Sequence, residues 1–330
     1  MRIWQGAALG SVLAAAVVAA GAAGGAASRS ATVGNTADAR PAESPVAPGA
    51  KAVKLAEGFA FTEGSTSDKN GDVYFIDQPN NSILKWTFDG KESGGDYSGG
   101  KLSTFMHPSN YANGMSFDGQ GNLIACADEK NELWSIAPDK KVMVLVKDYQ
   151  GKLLNGPNDV WIRPDGNMYL TDPLYKRDWW KGLREPTSQL PGEYVFYLDV
   201  ATKKLTPVIT DFRKPNGIIG TPDGKTLYVS DIGANKTWSY RIQPDGTLAD
   251  KKPFCDAGSD GMTIDSDGNV YVSNRGVTIF SKEGKRLDHI DTDSWVGNTC
   301  FGGKDGHTLF MAVSKSIYAI QMRTHGVGPA

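Results

Sequence analysis

From residue 54 onward, hydrophobic and polar positions fall into one unit that recurs six times. Each copy opens with a polar residue and a short apolar run, passes through a tight turn, and continues as a strand rich in Tyr, Phe, Val and Ile. The turn glycines are Gly71, Gly121, Gly166, Gly224, Gly268 and Gly306. Asn or Asp precedes the glycine at Asn70, Asp165, Asp223, Asp267 and Asp305, the pairing that supplies positive φ in a hairpin turn. The strands after the turns read DVYFID, NLIACA, NMYLTD, TLYVSD, NVYVSN and TLFMAV. A third strand is predicted in each unit, over 82–87, 132–136, 193–199, 237–242, 277–281 and 316–320. The spacing is about 45 residues and no long stretch carries helical periodicity.

Units of three or four antiparallel strands at this period predict an all-β fold, a six-bladed β-propeller over residues 51–323. One blade cannot bury both of its faces, so the blades pack radially around a channel. The strand at 52–55 has no unit of its own. It is expected to complete the last blade and close the ring, removing an exposed edge. A β-sandwich or a solenoid is the alternative architecture.

Ahead of the repeats, Arg2 and the apolar run 7–23, followed by Gly25, Ala26 and Ala27, read as a signal peptide over 1–27. An uncleaved membrane anchor is the rival reading of that run. Residues 28–50, rich in Ala, Pro, Ser and Thr, are expected to be a disordered linker, and 324–330 a C-terminal tail. The expected location is therefore outside the cytoplasm, periplasmic or secreted, with no membrane contact once the signal is removed. The 35 basic and 37 acidic residues give a net charge of −2 without any basic block, which argues against a nucleic-acid partner. Cys126, Cys255 and Cys300 are odd in number and widely spaced. They do not form a disulfide framework, and buried thiols are expected.

The candidate chemistry comes from register. Eight residues before each turn glycine stand Glu63, Asn113, Asn158, Asn216, Asp260 and Asn298. Equivalent positions in a propeller lie on one ring, here at the channel mouth. Oxygen-bearing side chains converging on one axis suit a hard divalent cation, with Ca²⁺ expected and Mg²⁺, Mn²⁺ or Zn²⁺ as alternatives. Zn²⁺ favours His and Cys, which the ring lacks. Asn and Asp also cap turns before strands, but capping does not account for a Glu or for six positions in register. His107 precedes Asn113 by six residues, and a surface role suits it best. No GxSxG elbow is present, which disfavours a Ser-His-Asp hydrolase. The loop 172–192, with Tyr175, Trp179, Trp180, Lys181 and Arg184, falls on the same side as the ring. It is read either as a lid or as a partner-binding surface.

Four segments carry a family resemblance: LNGPNDVWIRPDGNMYLTDPLY (154–175), KPNGIIGTPDGKTLYVSD (214–231), SDGMTIDSDGNVYVS (259–273) and NTCFGGKDGHTLFMAV (298–313). They resemble the group that includes senescence marker protein (regucalcin), gluconolactonase and luciferin-regenerating enzyme, bacterial gluconolactonases in particular. The resemblance covers 54–322. It implies a six-bladed propeller with a catalytic divalent metal at the central channel. It also implies Glu63, Asn158, Asn216 and Asp260 as metal ligands, matched to the first-blade Glu, the PND and PNG asparagines and the DG aspartate. The related diisopropylfluorophosphatases use a similar arrangement. Two stretches depart from the family pattern. Glu63-Gly64-Ser65 stands where EGP followed by Trp is common, and Cys126-Ala127-Asp128 where CEH is common.

The expected function is metal-dependent hydrolysis of a small ester-like substrate, a sugar lactone. Asp260 would act as general base, or alternatively as nucleophile, and Asn113 and Asn298 would bind substrate. A phosphotriesterase is the second enzyme reading. A non-catalytic scaffold stabilised by its metal is the third.

Overall fold

The structure is a computed structural model, and it describes residues 43–180, 182–184 and 187–328. The expected signal peptide and the expected linker up to residue 42 lie outside the described residues. All extended elements are β-strands, joined by turns and short 3-10 segments. Strand β1 (Val53–Glu57) precedes four sheets of four strands each. The first holds β2–β5 (Thr62–Ser67, Val73–Asp77, Ser82–Thr87, Lys101–Met106) and the second β6–β9 (Ala112–Phe117, Leu123–Ala127, Glu132–Ile136, Val142–Val146). The third holds β10–β13 (Val160–Ile162, Met168–Asp172, Tyr194–Asp199, Lys204–Ile209) and the fourth β14–β17 (Pro215–Gly220, Thr226–Asp231, Lys236–Ile242, Leu248–Cys255). All four are antiparallel meanders in chain order.

The fifth sheet has six strands. Besides β1 it contains β18 (Met262–Ile264), β19 (Val270–Phe280), β20 (Arg286–Gly302), β21 (Thr308–Val313) and β22 (Ser316–Gln321), in the order β1-β22-β21-β20-β19-β18. Here the structure departs from the repeat read in the sequence. The second and third strands of the fifth unit run on as the single strand β19, without an intervening loop. A bulge between Arg275 and Val277 takes the bend. Gly276 sits there at φ +87°, and a Cβ would come within 2.5 Å of the Ile290 carbonyl oxygen. Only glycine fits such a close approach at positive φ. The 17-residue β20 likewise pairs with β19 through its first part and with β21 through its second.

All six turn glycines have positive φ, between 68° and 85°, as hairpin turns of this kind require. The apolar side chains of the strands collect between sheets. Ile76 and Ile83 of the first sheet pack with Leu123 and Trp134 of the second. Cys126 and Leu133 pack with Leu170 and Phe196, and Tyr169 and Tyr197 with Leu227 and Val229. Tyr228 packs with Met262 and Val272, and Phe75 with Phe310 and Ile317. A sixth core, Tyr271 and Val277 with Leu309 and Met311, lies inside the fifth sheet. The three cysteines are free and buried.

β1 pairs antiparallel with β22, so the first strand is the outermost of the last sheet. The folded region begins earlier than residue 51. Val46 bridges Met322 and joins the core of the fifth sheet, and buried Ser44 bonds Asp288. Composition does not reveal this, because one Val and one Ser in register suffice to extend the packing. The tail is also tied down, by an isolated bridge between Gly326 and Asp265 and by the Ser266 N–H bond to the His325 oxygen at 2.8 Å.

Candidate metal and active site

The six in-register positions stand at or just before the first strands of their units: Glu63 on β2, Asn113 on β6, Asn158 before β10, Asn216 on β14, Asp260 before β18, and Asn298 on β20. Four of these strands bulge at this point, between Glu63 and Thr66, Ala112 and Met115, Pro215 and Ile218, and Val296 and Asn298. Bulges of this kind re-aim side chains next to sites. The first strands touch in a cycle, β2 with β6, then β10, β14, β18, β20 and β2 again.

Adjacent glycines let these strands approach. A Cβ on Gly64 would lie 2.0 Å from the Asn113 carbonyl oxygen, and one on Gly114 2.6 Å from that of Asn158. At Gly217 it would meet the Asp260 oxygen at 2.6 Å, at Gly261 the Asn298 Nδ2 at 2.3 Å, and at Gly297 the Glu63 Cδ at 2.8 Å. Asp159 occupies the corresponding place after Asn158, where its carboxylate accepts from the Val160 N–H at 2.9 Å and the Ile218 N–H at 3.4 Å. Burial pushes that carboxyl up to about 8.

Three of the residues are joined by side-chain contacts. Asn216 Nδ2 donates to Asp260 Oδ1 and to the Tyr175 hydroxyl, both at 2.8 Å. Trp295 Nε1 donates to Asp260 Oδ2 at 2.6 Å. Burial raises the Asp260 carboxyl above its usual range, while bonds from Trp295, Asn216 and Glu63 and the charge of Arg177 pull it back. Burial and then the Asp260 charge push Glu63 well upward, and Arg177 opposes this. Two carboxyls thus share a buried site that disfavours their joint ionisation.

With Nδ2 doubly engaged, Asn216 Oδ1 is a buried acceptor without a partner. A cation beside two carboxylates answers both features at once, since it takes oxygen ligands and balances their charge. Asn113 is the converse, with its donor Nδ2 buried and unpartnered, which suits a substrate oxygen and not a cation. Asn298 Oδ1 already accepts from the Ser65 hydroxyl at 3.2 Å. Asn158 is fixed by its backbone, its N–H to the Thr171 oxygen at 2.8 Å and its oxygen accepting from Gly114 at 2.6 Å. Among the described residues no three His, Cys, Asp or Glu side chains group as metal ligands, so any hard-ion site here leans on amides. A cavity of about 340 Å³ extends from Asp159 and Asn298 along the first strands to Gly326 and Val327 of the tail. His107 is exposed and bonds Ser82 and the Asn81 oxygen, away from this set.

Loop 172–192 reaches the same place through Tyr175. Arg177 and Trp295 carry no sequence periodicity that would have singled them out, whereas Asp159 stands in register directly after Asn158. Asp128, the departure from the CEH pattern, is buried and paired with Arg177 at 3.3 Å and Arg184 at 3.5 Å.

The chain is similar to several known proteins. A gluconolactonase of Zymomonas mobilis is 28% identical over 307 residues, covering 82% of this chain and 81% of that protein. The diisopropyl-fluorophosphatase of Loligo vulgaris is 28% identical over 257 residues, covering 70% and 78%. A solved gluconolactonase of Xanthomonas campestris superposes with a TM-score of 0.73 at 24% identity, covering 84% and 91%. The calcium-binding regucalcin of Agrobacterium tumefaciens superposes with a TM-score of 0.66 at 15% identity, covering 84% and 95%. Residues 61–315 match the model of the SMP-30/Gluconolactonase/LRE-like region, and the chain therefore belongs to that family.

Proposed function

We propose that this chain is a divalent-metal-dependent lactonase, a six-bladed β-propeller that holds Ca²⁺ with Glu63, Asn158, Asn216 and Asp260. The six inter-strand cores and the cycle of first strands support six blades, with the fifth and sixth fused through β19 and β20. The observation that carries the functional reading is the buried, unpartnered Asn216 Oδ1 beside the two buried carboxyls of Glu63 and Asp260.

A divalent cation in this ring would polarise the lactone carbonyl. The chain's own residues do the rest. Asp260 takes a proton from the attacking water as general base, with Trp295 fixing one of its oxygens. Asn113 offers its free N–H to a substrate oxygen, and Asn298, its carbonyl committed to Ser65, offers its own amide N–H groups. Tyr175 ties the start of loop 172–192 to Asn216. The relatives named gluconolactonase and diisopropyl-fluorophosphatase support a hydrolase. The relative named diisopropyl-fluorophosphatase keeps a phosphotriester as the second reading.

Turnover of a lactone panel, alongside a fluorophosphate ester, with and without chelator tests the reading. Chelator-sensitive lactone hydrolysis is expected, and hydrolysis of the phosphorus ester alone would replace it. Export belongs to the same proposal, on Arg2, the apolar run and Gly25-Ala26-Ala27. A native mass retaining Met1 in soluble cytoplasmic protein would overturn that part.

A further inference from the structure

Beside the ring, two guanidinium groups share one carboxylate. Asp128 pairs with Arg177 through Oδ2 and with Arg184 through Oδ1. Arg184 also bonds the Asp128 and Asn155 carbonyl oxygens, one through each terminal nitrogen. In Arg177 only Nε has a hydrogen-bond partner among the described residues, at a long 3.3 Å. Its guanidinium lies 4.8 Å from the Tyr175 ring centre, 5.5 Å from Trp179 and 5.8 Å from Trp180. Its side chain retains 13% exposure. The Tyr175 hydroxyl in turn accepts from Asn216, so one aromatic ring separates Arg177 from the ring residues.

The neighbouring charges are accounted for. Lys214 bonds Glu193 at 2.6 Å. Asp172 accepts from the Asn155 and Gly156 N–H groups, both at 2.9 Å. Glu129 lies outside the buried cluster. The Asp172 carboxyl also acts on Arg184, so what the Asp128, Arg177 and Arg184 set offers a substrate is hydrogen-bond donors. Its free donors are on Arg177, and a planar guanidinium with both terminal nitrogens available matches a carboxylate in two parallel bonds.

We propose that Arg177 is a specificity-determining residue that binds a carboxylate carried by the substrate, making the preferred substrates lactones of sugar diacids. This rests on the lactonase reading above and deepens it. Flanking aromatic faces hold the guanidinium in place and lower its exposure to water, which strengthens a charge-assisted bond.

The test compares gluconolactone, glucarolactone and a phosphorylated gluconolactone on the Ca²⁺-loaded full chain and on Arg177→Gln and Arg177→Lys. For glucarolactone, Arg177→Gln should raise KM about tenfold or more, the scale of one lost charge-assisted bond. KM for gluconolactone should stay within about twofold, because that substrate has no carboxylate to lose a partner, while any loss through the Arg177 charge on Glu63 and Asp260 falls on kcat for both lactones alike. Arg177→Lys should recover part of the loss, and the wild-type KM for glucarolactone should rise with salt. Equal effects of Arg177→Gln on KM for both lactones, or no wild-type preference for glucarolactone, would overturn the proposal. An Arg177-dependent preference for the phosphorylated lactone would overturn the carboxylate assignment. Calorimetric binding of glucarate and of the uncharged polyol glucitol to wild type and Arg177→Gln separates the two readings. Selective loss of glucarate binding without turnover of any lactone would uphold the anion subsite and sink the lactonase.

Discussion

The indole N–H of Trp295 donates to Asp260 Oδ2 at 2.6 Å. It reaches across from β20 to the residue ahead of β18, and so couples the longest strand of the molecule to the proposed base. Trp295→Phe keeps the aromatic bulk and removes the donor. Loss of a hydrogen bond to a charged group is worth about 1.5–3 kcal/mol, so lactone turnover should fall by roughly one to two orders of magnitude. Metal content should not change. Unaltered turnover at full metal occupancy would show that Asp260 does not need this partner.

Asp260→Asn separates the two roles proposed for that residue. An amide oxygen still coordinates a cation but cannot take up a proton at neutral pH. Metal should remain, held more loosely, while hydrolysis falls on the order of 100-fold or more. Turnover at saturating Ca²⁺, with metal analysed on the same sample, decides. Equal rates would leave carbonyl polarisation alone to explain the activity.

The ring should divide by the polarity of its free atoms. Asn216 has an unpartnered acceptor and Asn113 an unpartnered donor. Metal analysis of Asn216→Ala should therefore show depletion. Asn113→Ala should keep its metal and lose catalysis. If both variants lose metal to the same degree, Asn113 is a ligand and the division fails.

Close strand approach at the ring should be measurable as stability. Gly64 and Gly121 both have positive φ, at 54° and 83°. A Cβ on Gly121 meets nothing within 4 Å, whereas one on Gly64 would stand 2.0 Å from the Asn113 oxygen. Gly121→Ala should cost only its backbone strain, about 1 kcal/mol. Gly64→Ala should cost about 1–3 kcal/mol beyond that, seen as a lower thermal midpoint. Equal midpoints would mean that the strands can move apart freely.

Much of the fold was legible because its signals are local. A glycine at positive φ after Asn or Asp needs only its own turn, so Gly71, Gly166 and Gly306 could be aligned from sequence, and counting back gave the ring. The joining of the fifth unit into β19 depends on a contact between Gly276 and Ile290, residues from different strands. No local pattern encodes that. Tyr175, Arg177 and Trp295 approach the ring only after the sheets have packed, so they fall outside any repeat. Val46 was lost in an Ala- and Pro-rich stretch for the opposite reason, since its composition gave no hint that one side chain enters the core.

The pairing of β1 with β22 has a mechanical consequence. Val53 lies opposite Ala319 and Glu57 opposite Ser316, while the bridge from Val46 to Met322 continues beyond Val53. The free end of β1 and the outgoing end of β22 are thus at the same end of the ladder. Tension applied between the two chain termini would load these bonds one after another, as in opening a zipper, and not all together in shear. Once the outer contacts of Ser44 with Asp288 and of the tail with Asp265 and Ser266 have given way, the clasp should yield at low force from Val46 to Glu57, and an optical-trap record should show β1 peeling away before any sheet ruptures.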